Sequence, residues 1–169
     1  MPHRFEADVK AWDGKSKTAI EQVYDRACTS STFLQDVLAL FSEADAQVGA
    51  TWLLKKHLDS GNEIDAADTI PVFRMLDRLE HWEACLHVLQ CLPAFSVPSR
   101  YKKKTETFLR RCLADENKFV RAWAYNGMYE LAKQYPQYRV EVSQLLETAL
   151  EDEPASVKAR VRRCVANWF

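Results

Sequence analysis

The chain has 169 residues, a hydrophobic content of 47%, and 23 Lys+Arg against 24 Asp+Glu, for a formal net charge of -1. That size suits one domain with a continuous core, and the charge balance excludes a global drive towards nucleic acid or an anionic membrane, while leaving room for a local basic face. With only 4 Gly and 6 Pro, the composition argues against many hairpin turns and for long helices. No apolar run reaches bilayer-spanning length, and Met1-Pro-His-Arg-Phe-Glu-Ala-Asp has no apolar signal region, so a cytoplasmic protein is expected.

Residues 1–16 are polar and carry the turn signal Asp13-Gly14; they read as a loosely ordered arm with a short helical turn around Phe5–Trp12. A single helical domain is expected over 17–169. Ala19, Ile20, Val23, Tyr24 and Ala27 give an amphipathic helix from about Lys17 to Cys28. Thr29-Ser30-Ser31 breaks it and can cap the next helix, which carries Phe33, Leu34, Val37, Leu38 and Phe41. After a turn at Ser42–Asp45, Val48, Trp52, Leu53 and Leu58 mark a third helix. It stops at Ser60-Gly61-Asn62, where Gly61 suits the left-handed position past a helix end. Residues 62–68 read as a loop. Asp68 or Thr69 caps a helix through Leu79, with Pro71 in its first turn. Beyond His81-Trp82, Ala84, Leu86, Val88 and Leu89 belong to a helix that ends before Pro93. Residues 94–99 connect to a helix from Arg100 to Ala114. Asn117 then caps a helix from Lys118, and Tyr135-Pro136 forces a break, because the residue before proline avoids the helical region. Val140 to Glu151 gives another helix. Asp152-Glu153-Pro154 starts the last, with acids well placed at its N-terminus.

The best-defined stretch is 107–131. Val120, Ala124, Gly127 and Leu131 recur there at helical spacing as one apolar stripe, and Ala122, Ala124 and Gly127 let a neighbouring helix come close. The pattern returns about 37 residues on: Leu113, Asp115, Glu116, Val120, Arg121 and Ala122 become Leu150, Asp152, Glu153, Val157, Lys158 and Ala159. A fainter copy runs through Phe41, Glu43, Val48 and Ala50, and Ala84 keeps the spacing without the acid and base. Periods of this length are the mark of a solenoid, in which each hairpin buries its stripe only by stacking on its neighbours. A leucine, then Asp, then Arg or Lys followed by Ala six residues later resembles the HEAT repeat over residues 31–168. The resemblance implies an all-α, right-handed α-α superhelix of about four helical hairpins plus an N-terminal helix. It also implies a ladder of polar contacts along the stack, matched here by Asp115 with Arg121 and Asp152 with Lys158.

An architecture does not name an activity. His3, His57, His81 and His87 form no metal-binding spacing. Cys28, Cys85, Cys91, Cys112 and Cys164 form no two-residue pair and read as free, mostly buried thiols. Cys112, flanked by Arg110 and Arg111, is a candidate reactive thiol or half-buried packing. No serine elbow and no glycine-rich phosphate loop is present. No catalytic residue, metal or cofactor is therefore assigned.

Two surfaces remain. Lys102, Lys103, Lys104, Arg110 and Arg111 form the densest basic run, either a phosphate-meeting face together with Lys118 or a solvated one. The second helices of HEAT-like hairpins line the inner surface, which places Arg121, Tyr125, Tyr129, Lys158 and Arg162 on the concave face, with Arg160 and Arg163 adding charge nearby. Arginine mixed with aromatics is what interaction hot spots favour. Trp52 and Trp82 are expected in the core, and Trp123 at the border of its stripe. Val161, Cys164, Val165 and Trp168 should face inward, with Phe169 at the rim. The expectation is a monomeric, non-enzymatic module binding a protein or peptide on its concave face. The alternative is a DNA-binding protein resembling HEAT-like alkylpurine DNA glycosylases, with Glu130 as its acid; the charge balance disfavours nucleic acid.

Overall fold

The structure, a computed structural model, describes residues 2–168. Among them are ten α-helices joined by short 3-10 turns, with no strand, so the chain is all-α as its composition predicts. It divides into two compact units, Met1–Ala94 and Phe95–Phe169. No helix is long and apolar enough to cross a membrane, among the described residues.

The first unit holds α1 (Pro2–Lys10), α2 (Lys17–Ala27), α3 (Phe33–Ala39), α4 (Gln47–Asp59), α5 (Ile70–Met75) and α6 (Trp82–Cys91). Its centre is α4, which packs on α1, α2, α3 and α6 and buries Ala50, Leu53 and Leu54 completely. The stretch read as a loose arm carries helix α1. Its local pattern is weak, but Val9 is 1% exposed because Gly49 leaves room for it. A Cβ on Gly49 would come within 2.8 Å of Val9 Cγ1. Trp12 then settles against Trp52, their ring centroids 6.4 Å apart. Gly61 takes the positive φ, 87°, expected of it.

Gln47 is a buried polar hub of this unit. Its Nε2 donates to the carbonyls of Phe41 and Arg78, and its Oε1 accepts from the Glu80 N–H. Two chain segments, at Phe41 and at Arg78–Glu80, are thereby tied to the start of α4. Thr69 flanks α5 as expected, yet its hydroxyl donates back to the Ala66 carbonyl at 2.7 Å and makes no cap bond. Trp82 departs from expectation: it opens α6 and is 43% exposed, outside the core.

The second unit holds α7 (Lys102–Leu113), α8 (Lys118–Gln134), α9 (Arg139–Asp152) and α10 (Ala155–Ala166). Here α8 is central and packs on α7, α9 and α10. Asn117 caps it, its Oδ1 accepting the Phe119 N–H at 2.9 Å. The predicted stripe is inside: Val120, Ala124 and Leu131 are at most 1% exposed. Val157, Val161 and Cys164 meet it from α10 and are also buried. Val165, expected on that inner face, is 42% exposed, being one position past the stripe. Trp168 does pack inward, its ring 6.0 Å from that of Tyr129. The rim position expected for Phe169 falls outside the described residues. The connector before α7 is held by α8's last turn and by the residue after it. Gln134 accepts the Val97 N–H and donates to the Phe95 carbonyl, while the Tyr135 hydroxyl donates to the Val97 carbonyl.

Candidate functional site

Part of the basic run on α7 is paired with acids within its own unit. Glu106 accepts from Lys103 at 2.9 Å, from Arg110 Nε and Nη2, and from the Tyr138 hydroxyl at 2.7 Å. Burial opposes its charge, but these donors outweigh burial and hold the Glu106 carboxyl at about 2. Arg110 also reaches Glu141 at 2.7 Å. Lys102 lies over the Tyr135 ring and Arg111 over the Phe108 ring. Lys104 has a partner as well. Lys118, placed with this group, lies over the Phe119 ring. Cys112, directly after the two arginines, is 2% exposed, which withholds its thiol from solvent reagents.

The residues predicted for the concave face serve chiefly to join the two hairpins. Arg121 Nε and Nη2 grip both oxygens of Glu153 at 3.0–3.2 Å, and Nη1 donates to the carbonyls of Asp115 and Glu116. The hydrogen bond to Glu153 holds the guanidinium pKa above its ordinary value. The ladder thus differs in detail from the predicted one. Arg121 meets the backbone of Asp115, whose carboxylate instead accepts the Asn117 N–H, and the carboxylate it binds is Glu153. The Tyr125 hydroxyl donates to the same Glu153 at 3.0 Å; burial, then this bond, push the phenol up to about 12. The Tyr129 hydroxyl donates to the Asn167 carbonyl at 2.9 Å. Lys158 caps α9 through the Glu151 carbonyl and does not pair with Asp152. Tyr125 and Tyr129 are 8% and 9% exposed, so little of either is offered to a ligand. Arg162 is exposed.

Beside them, α8 and α10 enclose an open groove of about 350 Å³, lined by Asn126, Glu130 and Lys133 from one helix and by Arg160, Arg163 and Asn167 from the other end of the pair. Arg160 stacks on Trp123, its Cζ 3.9 Å from the ring centroid. Burial, then the nearby Arg163, lowers the pKa of Arg160. Neither arginine has a carboxylate partner among the described residues. Lys133 pairs with Glu130 at 3.0 Å. Three cations therefore stand against one carboxylate, a local charge of +2. At the floor, Asn126 Oδ1 accepts from the Cys164 thiol at 3.6 Å, and burial pushes that thiol up to about 11. The Asn126 amide, which lines the groove, makes no other hydrogen bond among the described residues, so its Nδ2 donor is unused.

The same shift of about 37 residues that pairs Val120 with Val157 pairs Trp123 with Arg160, Asn126 with Arg163 and Glu130 with Asn167. Arg160 and Arg163 had been noted only as nearby charge, and Asn126 not at all.

Elsewhere, His87 Nδ1 meets the Thr51 hydroxyl at 3.1 Å; burial, then Lys55, lower its imidazole to about 4. His57 Nδ1 meets the Tyr24 hydroxyl at 3.3 Å. No group of three or more His, Cys, Asp or Glu side chains converges as a metal site among the described residues. No family model matches the chain, and no curated protein or solved structure matches it.

Proposed function

We propose that the chain is a HEAT-like helical repeat protein, a right-handed α-α superhelix, that acts as a non-enzymatic interaction module. It binds a protein or peptide partner through the α8/α10 face of its second unit. The observation that carries this reading is the groove itself: Arg160 over the ring of Trp123, Arg163 beside it, and no carboxylate partner for either among the described residues. Arginine and tryptophan at a partly dry, structured position are the residues that dominate binding interfaces. The repeat reading is supported by side-chain contacts that recur at one repeat's separation. Thr51 meets His87 at 36 positions, and Asn126 meets Cys164 and Tyr129 meets Asn167 at 38. The five free thiols suit a reducing compartment, and we place the protein in the cytoplasm as a monomer.

Selection from a random peptide library on the wild-type protein, with counter-screening on R160E/R163E, tests the reading. Enriched peptides should bind the wild type and lose binding to the charge-reversed protein. Peptides that bind both proteins equally would remove the groove from the function.

The glycosylase alternative keeps one supporting observation, that Glu130 lies in the groove. Its carboxylate is engaged by Lys133, which disfavours it as a free acid. Release of an alkylated purine from duplex DNA by the wild type, lost in Glu130→Gln, would displace the non-enzymatic reading.

A further inference from the structure

The unpaired cations of the groove can be matched to a particular chemistry. Arg160 and Arg163 lie on successive turns of α10, at a spacing that puts both on one helical face. Like charges placed this way repel each other, and burial of Arg160 sharpens the conflict. An anion between them would relieve it. The groove is also rich in donors: two guanidinium groups, the Asn126 amide and the Lys133 ammonium. Contact with the Trp123 ring holds the Arg160 guanidinium in place, so less of its freedom is lost when it grips an oxyanion. Planar forks of this kind suit bidentate binding of phosphate or carboxylate.

Charge chooses between these two. The groove carries +2, and a phosphorylated side chain carries about -1.5 to -2 at neutral pH, whereas a carboxylate carries one charge. Extent chooses between a single phosphate group and a polyanion. A duplex presents one charge roughly every 1.7 Å and calls for a continuous basic stripe. Here the groove is about 350 Å³, room for a single phosphate group and not for a stretch of duplex. The next cation along α8, Arg121, is held by Glu153, and Lys103 and Arg110 of the basic run on α7 are paired with Glu106 and Glu141.

We infer that the α8/α10 groove is a recognition pocket for one phosphorylated side chain of a partner peptide, gripped by Arg160 and Arg163 and by the amide of Asn126. This rests on the interaction-module reading above and specifies its ligand.

The test is titration of the full chain with a short peptide bearing one central phosphoserine, and with its Ser and Glu versions. Intrinsic tryptophan fluorescence and amide shifts provide the readout. The phosphopeptide should bind about tenfold tighter than either control or better, and shift the resonances of Trp123, Asn126, Arg160 and Arg163. R160A/R163A should lose about that factor, and K15A/K17A, which removes two positive charges elsewhere, should not. In case the alanine pair fails to fold, R160K/R163K keeps the charge while losing the fork, and should lose much of the preference for phosphoserine over Glu. Equal binding of all three peptides, or of none, overturns the inference. So does tighter, steeply salt-dependent binding of a short DNA duplex, since the phosphates would then belong to nucleic acid. If library-selected peptides still need Arg160 and Arg163 but phosphoserine confers no gain, the phosphate inference falls and the interaction reading stands. If neither needs them, both fall.

Discussion

Replacing Glu153 with Ala tests what joins the two hairpins of the second unit. The Glu153 carboxylate accepts Arg121 Nε at 3.1 and 3.2 Å, Arg121 Nη2 at 3.0 Å and the Tyr125 hydroxyl at 3.0 Å. The pair is largely shielded, with side-chain exposures of 20% and 12%. A hydrogen bond to a charged group contributes about 1.5–3 kcal/mol, and truncating one partner of a buried pair costs about 3–5 kcal/mol, because the other charge is stranded. Two features lower that figure here. Arg121 is not fully buried, and it keeps its bonds to the Asp115 and Glu116 carbonyls. The expected loss is about 2–4 kcal/mol, read from guanidinium-induced unfolding. Asp115→Ala is the informative comparison. Arg121 touches only its backbone, so that variant loses one turn hydrogen bond, about 0.5–1 kcal/mol. A double-mutant cycle between Glu153 and Arg121 should give a coupling of about 1–3 kcal/mol. Asp115→Ala costing more than Glu153→Ala would refute the reasoning, since the ladder would then run within a hairpin and not between hairpins.

Acidification should weaken the first unit through His87. Between about pH 6.5 and about 4 the unfolded chain takes up a proton that the buried imidazole refuses, so stability falls as pH falls through that window. The ring's partial exposure limits the effect to about 1–2 kcal/mol, and His87→Gln should flatten the stability–pH curve there by that amount; an unchanged slope would disprove it. Gly49→Ala should cost about 1–3 kcal/mol by pushing α1 off α4, and Val9→Ala in the same protein should recover most of it. Full additivity of the two changes would show that α1 is not docked there. Trp168→Ala should cost about 1–2 kcal/mol through its contact with Tyr129 and leave the sedimentation of the protein unchanged. A dimer that falls apart on this change would contradict the monomer.

What the sequence made legible is what local chemistry decides. Asn117 caps α8, Pro136 ends it, Gly61 turns the chain, and the stripe from Val120 to Leu131 is buried, because each of these follows from the residue and its immediate neighbours. The docking of α1, read only as a short helical turn in a loose arm, escaped because it depends on a partner. Val9 alone makes no stripe, and only the missing side chain of Gly49, some forty positions away, gives it a seat. Trp82 was misplaced for the opposite reason. Its size argued for the core, but its position at the opening of α6 leaves it largely in solvent. Gln47 was not foreseen, since nothing in a polar side chain announces that three separate carbonyl and amide groups will converge on it.

The candidate site was half legible, and the half that was missed follows from how a repeat distributes its polar residues. A stacked pair of helices must satisfy charges between its layers before it can offer any to a partner. Arg121, Tyr125, Tyr129 and Lys158 have residue types suited to binding, but each spends its polar atoms on Glu153, Asn167 or Glu151 within the unit. Residue type and inward register alone cannot separate a structural arginine from an available one. The separation comes from counting acceptors: Glu153, 32 positions on, holds Arg121 with both carboxylate oxygens, while Arg160 meets the ring of Trp123, Asn126 lines the groove beside Arg163, and neither arginine meets a carboxylate among the described residues. A tryptophan can hold an arginine in place without neutralising it, and an asparagine adds a donor in place of an acceptor. Cations left in that state on a well-packed helix keep their charge for something outside the fold.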